Sequence, residues 1–232
     1  PGKVSVEPTK PTNTQADLSM AYSPGVAEPC QAISACKPDV YRYTNKPNTV
    51  AVISDGSAVL GLGNIGPEAS KPVMEGKGVL FKIFGGIDVY DLELNTGITE
   101  TFIQTVKCLE PTFGGINLED IKAPACFEIE DRLKAEMDIP VMHDDQHGTA
   151  IITGAALLNA LTFANKATKD IKVVVNGAGA SAIASTRFFK SLGVHADHIL
   201  MADSKGVIRN DREDLPPLKA EFATDQIGRA HV

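Results

Sequence analysis

Two pairs of adjacent carboxylates punctuate the chain, Glu119-Asp120 and Asp144-Asp145, the second flanked by His143 and His147. Three or four carboxylates from two separate loops suit a hard cation such as Mg2+ or Mn2+. Such an ion takes oxygen ligands and keeps open positions for a substrate. Zinc fits less well, because the two histidines are not joined by a cysteine cluster. Each pair also has a plainer reading. Acids favour helix starts, so Glu119-Asp120 alone is an ordinary N-cap. Asp144-Asp145 lies between Pro140-Val141-Met142 and the small-residue run from Gly148. Like charges side by side in so apolar a setting need a counter-charge, and a metal provides one.

Lys77 sits in Met74-Glu75-Gly76-Lys77-Gly78-Val79. Glycines on both sides and the apolar Val79-Leu80-Phe81 after it could desolvate the amine and move it toward general-base range. A solvated turn lysine is the alternative. Tyr22, beside Ser23-Pro24-Gly25, reads by itself as a packing tyrosine. Two glycine loops compete for a dinucleotide. Gly61-Leu62-Gly63-Asn64-Ile65-Gly66 matches G-x-G-x-x-G, and Gly177-Ala178-Gly179-Ala180-Ser181-Ala182 matches the form with Ala in third place. The chemistry demands a tight turn, close backbone approach to pyrophosphate and a helix N-terminus aimed at it. The second loop fits better. It follows an unbroken β-branched run, its helix opens on small residues, and Asp203 ends the next strand where a ribose hydroxyl would be held. In the first loop Pro67 and Glu68 open the helix, and an acid there repels phosphate. Asp203 favours NAD on charge, whereas Ser204 and Lys205 beside it could receive a 2′-phosphate, so NAD and NADP both stay open.

The elements that must position these residues follow from periodicity. Residues 1–20 read as an extended arm, Tyr22 to Gly25 as a turn, and Val26 to Cys36 as a short helix. Thr49 to Ile53 is a buried strand closed by Ser54-Asp55-Gly56. Pro67 opens a helix. Val79 to Phe84 is a second strand or a buried helix end. Ile87 to Leu94 alternates as a half-exposed strand, and residues 99–109 carry the helical stripe Phe102, Ile103, Val106, Leu109. Phe127 to Met137 is helical, Pro140 to Met142 a short strand, and Gly148 to Leu161 a helix with Ile151, Ile152, Ala155, Leu158 and Leu161 on one side. From Ile171 the pattern becomes strand, glycine turn, helix (Ser181 to Leu192) and strand (His198 to Ala202), a parallel α/β unit. The expected class is therefore α/β: an N-terminal α/β substrate and metal domain over 1–147, then an incomplete Rossmann-type dinucleotide-binding domain over 148–226.

Composition bounds the rest. Of 232 residues 43% are apolar and 22% charged, with a formal net charge of -7 and no Lys/Arg run, which argues against nucleic-acid and membrane-surface partners. No apolar stretch approaches the roughly 20 residues of a membrane span. The start lacks an apolar signal region, and its missing Met suggests residues upstream. The four cysteines form no C-x-x-C pair and read as reduced thiols of a cytosolic protein.

Taken together, several segments resemble the malic enzymes, above all the compact bacterial type. They are Ala21-Tyr22-Ser23-Pro24-Gly25-Val26-Ala27, Val59 to Gly66, Lys71-Pro72-Val73-Met74-Glu75-Gly76-Lys77, Phe113 to Ile121, His143-Asp144-Asp145-Gln146-His147-Gly148-Thr149-Ala150 and Asn176 to Ala180. The resemblance implies NAD(P)+-dependent oxidative decarboxylation of (S)-malate to pyruvate and CO2 with Mg2+ or Mn2+. It implies that Tyr22 is the acid that protonates C3 and that Lys77 is the base for the C2 hydroxyl. Glu119, Asp120 and Asp145 would be the metal ligands, with Asp144 tuning Lys77 or the metal-bound hydroxyl. Gly177, Ala178, Gly179, Ala180 and Ser181 would form the phosphate loop with Asp203 beyond it, and Gly61 to Gly66 would shape the substrate side. It also implies a homodimer or higher homo-oligomer, a cytoplasmic location, and no nucleic-acid or membrane partner. Ala58 stands where larger members place a carboxylate-clamping arginine, so another group must do that work. The dinucleotide domain looks cut short, and residues 227–232 resemble one reading frame of a sequencing adapter rather than the family. A metal-dependent oxaloacetate decarboxylase without a redox step, or an inactive fragment, is the alternative.

Overall fold

The computed structural model describes residues 2–213 and 215–225, so the 227–232 tail lies outside the described residues. The chain divides into two compact units, residues 1–121 with 131–141, and residues 122–130 with 142–232.

The first unit begins with α1 (Gln15–Ala21), α2 (Ala27–Ala35) and α3 (Val40–Tyr43). The expected extended arm is thus helical over its last turns. Thr14 and Asp17 form a reciprocal capping box at the start of α1, a local signal that offsets an otherwise unhelical composition. Then come β1 (Thr49–Ser54), α4 (Pro67–Gly85), β2 (Asp88–Glu93), α5 (Thr99–Cys108) and β3 (Gly115–Leu118). Strand β1 pairs in parallel with β2 on one side and β3 on the other. Ala51, Val52, Ile53 and Ser54 are fully buried, as expected of a central parallel strand covered on both faces. Phe102, Ile103 and Val106 of α5 lie in the same core, and Leu109 is half-buried. Val79 to Phe84 is the end of α4 rather than a strand, and it is not buried: Leu80, Ile83 and Phe84 are exposed. The helix runs through Gly76 and Gly78 because Gly78 lies against Val89 of β2, where a Cβ would already be 3.3 Å from Val89 Cγ1. Gly86, in the left-handed region, ends it.

Helix α6 (Ala125–Glu136) and strand β4 (Val141–His143) carry the chain between the units, and the sheet order is β2-β1-β3-β4. The second unit continues with α7 (Asp144–Ala164), β5 (Val173–Asn176), α8 (Ala180–Ser191), β6 (Ile199–Asp203), β7 (Gly206–Val207) and α9 (Pro217–Ala220). Here β5 and β6 pair in parallel and β7 returns antiparallel. Helix α7 packs on α8 through Gly154, where a Cβ would lie 2.3 Å from the Phe188 ring. The apolar side expected of α7 is only partly used: Leu161 is buried, while Ile151, Ile152 and Leu158 are exposed. Against the sequence reading, α7 is long and apolar enough, by length and composition, to cross a membrane, at 21 residues and mean hydropathy 1.3. It starts four residues before the expected Gly148, because Asp144 and Asp145 join the helix. Two acids in the first turn are stabilised by the positive end of the helix dipole.

Candidate active site

In the first unit, the site lies at the carboxyl ends of the parallel strands, where open α/β sheets place ligands. Glu119 and Asp120 follow β3 directly and are 7% and 5% exposed. The Glu119 N–H donates to Ile53 O at 2.9 Å, and Asp120 O accepts from Ala58 N–H at 3.0 Å. Asp120 has φ 55, a left-handed conformation that Asp tolerates because its side chain bonds locally. This pair is therefore no helix N-cap, because a strand precedes it and α6 begins only at Ala125. Asn117 Nδ2 donates to Glu119 Oε2 at 2.9 Å.

Lys77 is not a turn lysine. It sits in the middle of α4, and its Nζ lies 3.1 Å from Glu119 Oε2, with the two side chains 19% and 9% exposed. A half-buried ammonium against a buried carboxylate is a strong charge-assisted contact. The loop before α4 is held by Gly56, whose carbonyl accepts the N–H groups of Ile65 and Gly66. Gly56 has φ 68, and a Cβ there would lie 2.1 Å from Gly66 O. Sequence reasoning passed over this residue as the close of a turn. Gly63 and Gly66 take φ 77 and 85, while Leu60 and Leu62 stand exposed at 71% and 69%. Tyr22 ends α1 through its N–H to Leu18 O, and its side chain is 78% exposed.

In the second unit, Asp144 and Asp145 occupy the first turn of α7, not a loop. Asp144 folds back over Gly148, where a Cβ would be 2.4 Å from Asp144 Oδ1. The neighbouring His143 is fully buried, neither ring nitrogen has a hydrogen-bond partner among the described residues, and Nε2 is 3.9 Å from Asp145 Oδ2. Burial holds its pKa below the usual imidazole value, against the opposing pull of Asp145 and Glu130. The Cys126 thiol is pushed up to about 12, first by burial and then by the charges of Asp145 and Glu130, so it is an inert thiol.

The second glycine loop joins β5 to α8. Gly177 has φ 123, Gly179 is the N-cap, and a Cβ at either would meet nothing within 4 Å. No acid lies in the first turn of α8. Ala180 and Ser181 open that helix, and Ala178 lies between the two glycines. Asp203 ends β6, as expected, but its carboxylate is already engaged. Arg212 donates at 3.0 and 3.2 Å and Lys219 at 2.8 Å. The Arg212 and then the Lys219 hydrogen bonds hold its pKa well below the ordinary carboxylate range. Sequence reasoning named Ser204 and Lys205 as neighbouring groups and missed both cations, which lie nine and sixteen residues further on.

Two family models match the chain: the malic enzyme N-terminal domain over residues 1–134 and the malic enzyme NAD binding domain over residues 146–230. An NADP-dependent malic enzyme of Salmonella typhimurium is 57% identical over 99% of this chain, which spans 30% of that protein. An NADP-dependent malic enzyme of Halomonas elongata is 57% identical over 97% of the chain, which spans 53% of its length. An NAD-dependent malic enzyme of Rhizobium meliloti is 53% identical over 99% of the chain. Among solved structures, the NAD-dependent malic enzyme of Thermotoga maritima matches with a TM-score of 0.91 at 47% identity, covering 96% of this chain and 59% of that one. The α/β architecture, the ordered motifs and both family models agree, and the chain belongs to the malic enzyme family.

Proposed function

We propose that this chain carries the metal and proton-transfer half, and the start of the dinucleotide half, of an enzyme that oxidatively decarboxylates (S)-malate to pyruvate and CO2 with reduction of NAD(P)+. Residues 1–147 hold the first part and 148–226 begin the second. The observation that carries the reading is the Lys77–Glu119 pair at 3.1 Å, an amine set against a buried carboxylate at the carboxyl end of a parallel sheet.

Glu119, Asp120 and Asp145 are the ligands we assign to Mg2+ or Mn2+. The donor set fits: three carboxylates offering one hard oxygen each, two of them on buried residues. A cation held by these carboxylates would supply Lewis-acid polarisation of the C2 oxygen, and a dinucleotide held at the Gly177 to Ser181 loop would supply the hydride acceptor. Lys77 takes the proton of the C2 hydroxyl. A cation held by Glu119 would put a positive charge beside Lys77 and so would favour transfer of its proton onward. Asp144, beside the ligand Asp145, tunes this proton transfer. Breakage of the C3–C4 bond then releases CO2, and the electron pair stays on the three-carbon enolate. Tyr22 gives its phenolic proton to C3, which yields pyruvate.

Gly177 to Ser181 present backbone N–H groups at the start of α8 to the pyrophosphate. Asp203 is held by Arg212 and Lys219, so its charge is offset and opposes a 2′-phosphate less than a lone carboxylate would; NADP and NAD are both accommodated. A homodimer or higher homo-oligomer working in the cytoplasm belongs to the same proposal.

The test is malate-dependent formation of NAD(P)H with Mn2+, beside CO2 release from oxaloacetate without dinucleotide. Lys77→Ala should lower malate oxidation by about 10²–10⁴-fold, the range for loss of a positioned base. Unchanged turnover would remove Lys77 from the mechanism. Release of CO2 from oxaloacetate with no malate oxidation under any condition would favour a decarboxylase alone.

A further inference from the structure

Helix α7 begins without a side-chain cap: its N-cap residue, His143, makes no capping hydrogen bond. Its start is fixed from a different helix. Glu130 of α6 is 2% exposed, and its Oε1 accepts the His143 backbone N–H at 3.0 Å. The same carboxylate binds His147 Nε2, at 2.7 Å from Oε1 and 2.9 Å from Oε2. These anchors stand on either side of Asp144-Asp145, one at the N-cap and one a turn later. Two anchors that bracket the first turn oppose both its unwinding and its rotation about the helix axis. Each residue advances about 100° around a helix, from 3.6 residues per turn, so a slip of one residue would swing Asp145 far from its direction. The second anchor, the His147 side chain, lies four residues after the first, the His143 backbone N–H, which is about one helical turn.

A buried carboxylate is retained in an apolar helix face only when its oxygens are well bonded. Here it is bonded to the two positions that bracket the proposed ligand, and α6 also places buried Cys126 one turn before Glu130, on the same face. We infer that Glu130 is a positioning residue for the divalent cation: it sets the phase of the first turn of α7, and with it the ligand Asp145 and its neighbour Asp144. The inference rests on the metal reading given above.

The test is a Mn2+ titration of this chain followed by electron paramagnetic resonance of free Mn2+, with circular dichroism and a thermal melt in the absence of metal as controls on folding. Wild-type protein must bind Mn2+; if it does not, the metal reading itself fails. Given that binding, Glu130→Gln keeps the shape and one acceptor oxygen but drops the charge, and should weaken Mn2+ about five-fold with an unchanged metal-free spectrum. Glu130→Leu leaves the His143 N–H without a partner and should weaken it more than ten-fold. Glu130→Asp, which restores the carboxylate on a shorter stem, should recover part of the loss. If Glu130→Leu fails to fold, Glu130→Gln decides. Glu130→Gln with the same Mn2+ affinity as wild type overturns the inference.

Discussion

The chain has two glycine loops of nearly the same pattern, each ending in a glycine N-cap of a helix that follows a parallel strand, and they differ in what the helix offers. The first leads into α4, where Pro67 has no N–H to give and Glu68 puts a negative charge in the first turn. The second leads into α8, where Ala180, Ser181 and Ala182 keep their N–H groups and bring no acid. The first loop is also braced inward, with the carbonyl of Gly66 against Gly56, while the second lines open space. A glycine pattern specifies a turn; the two or three residues after it decide whether the helix end faces an anion or only the protein.

The largest effect that distinguishes them should be on stability. Gly56→Ala adds a Cβ 2.1 Å from a backbone oxygen at a positive φ and should cost about 3 kcal/mol in urea unfolding, from strain at a conformation reserved for glycine. Gly179→Ala, at φ -86 with nothing within 4 Å, should leave stability nearly unchanged. Equal losses would erase the distinction. Next in size is binding. Ala182→Glu places an acid in the first turn of α8 and should weaken NADPH about ten-fold in a fluorescence titration, from repulsion at a helix N-terminus. Glu68→Gln should leave that affinity alone, and a comparable change there would mean that the first loop also meets the dinucleotide.

The smallest effect is in pH dependence, where one carboxylate of each unit runs in the opposite direction to the other. Asp203 titrates below its unfolded value because Arg212 and Lys219 bind its ionised form. Its contribution is present above about pH 4 and is lost as pH falls toward the lowered value. Lys219→Met should reduce this acid-sensitive stability of the second unit by about 1 kcal/mol. Glu93 titrates above its ordinary value, chiefly through burial and then through Asp91. Its folded form prefers the proton, so it contributes below the ordinary Glu range and costs stability as pH rises through the raised value. Glu93→Gln should flatten that part of the curve. Acid unfolding of each variant beside the parent from about pH 2 to 7 isolates the two contributions as difference curves, and difference curves that slope the same way would contradict the assignment.

Much of the fold was legible because local patterns and tertiary demands agree. The β-branched run at Thr49 to Ile53, the alternation from Ile87, and the Phe102-Ile103-Val106 stripe each became the element their period predicts. The unbroken run Val173-Val174-Val175 also became a strand, but on the edge of a three-stranded sheet, and Val174 is 69% exposed. Periodicity reports that a strand forms, not how many neighbours it finds. What escaped was set by distant partners. The two glycines beside Lys77 leave a turn as one reading of it, whereas α4 runs on through them with Gly78 packed on Val89. Arg212, Lys219 and Glu130 match no motif by themselves, and each takes its role from a residue nine or more positions away. Asp144 and Asp145 looked like loop acids because no side-chain cap marks the start of α7.

Lys46, just before β1, shows how far a residue type can depart from its usual habit. It is 6% exposed and gives its Nζ to the carbonyls of Glu110 and Phe113, at the turn that leads into β3 and the Glu119-Asp120 pair. Burial, only partly opposed by Glu110, lowers its pKa. An amine-reactive label applied to the folded protein should therefore modify the exposed lysines quickly and Lys46 last. The time at which Lys46 becomes modified would report when the first unit opens, which turns a single buried ammonium into a built-in clock for the loss of the strand ends that carry the acids.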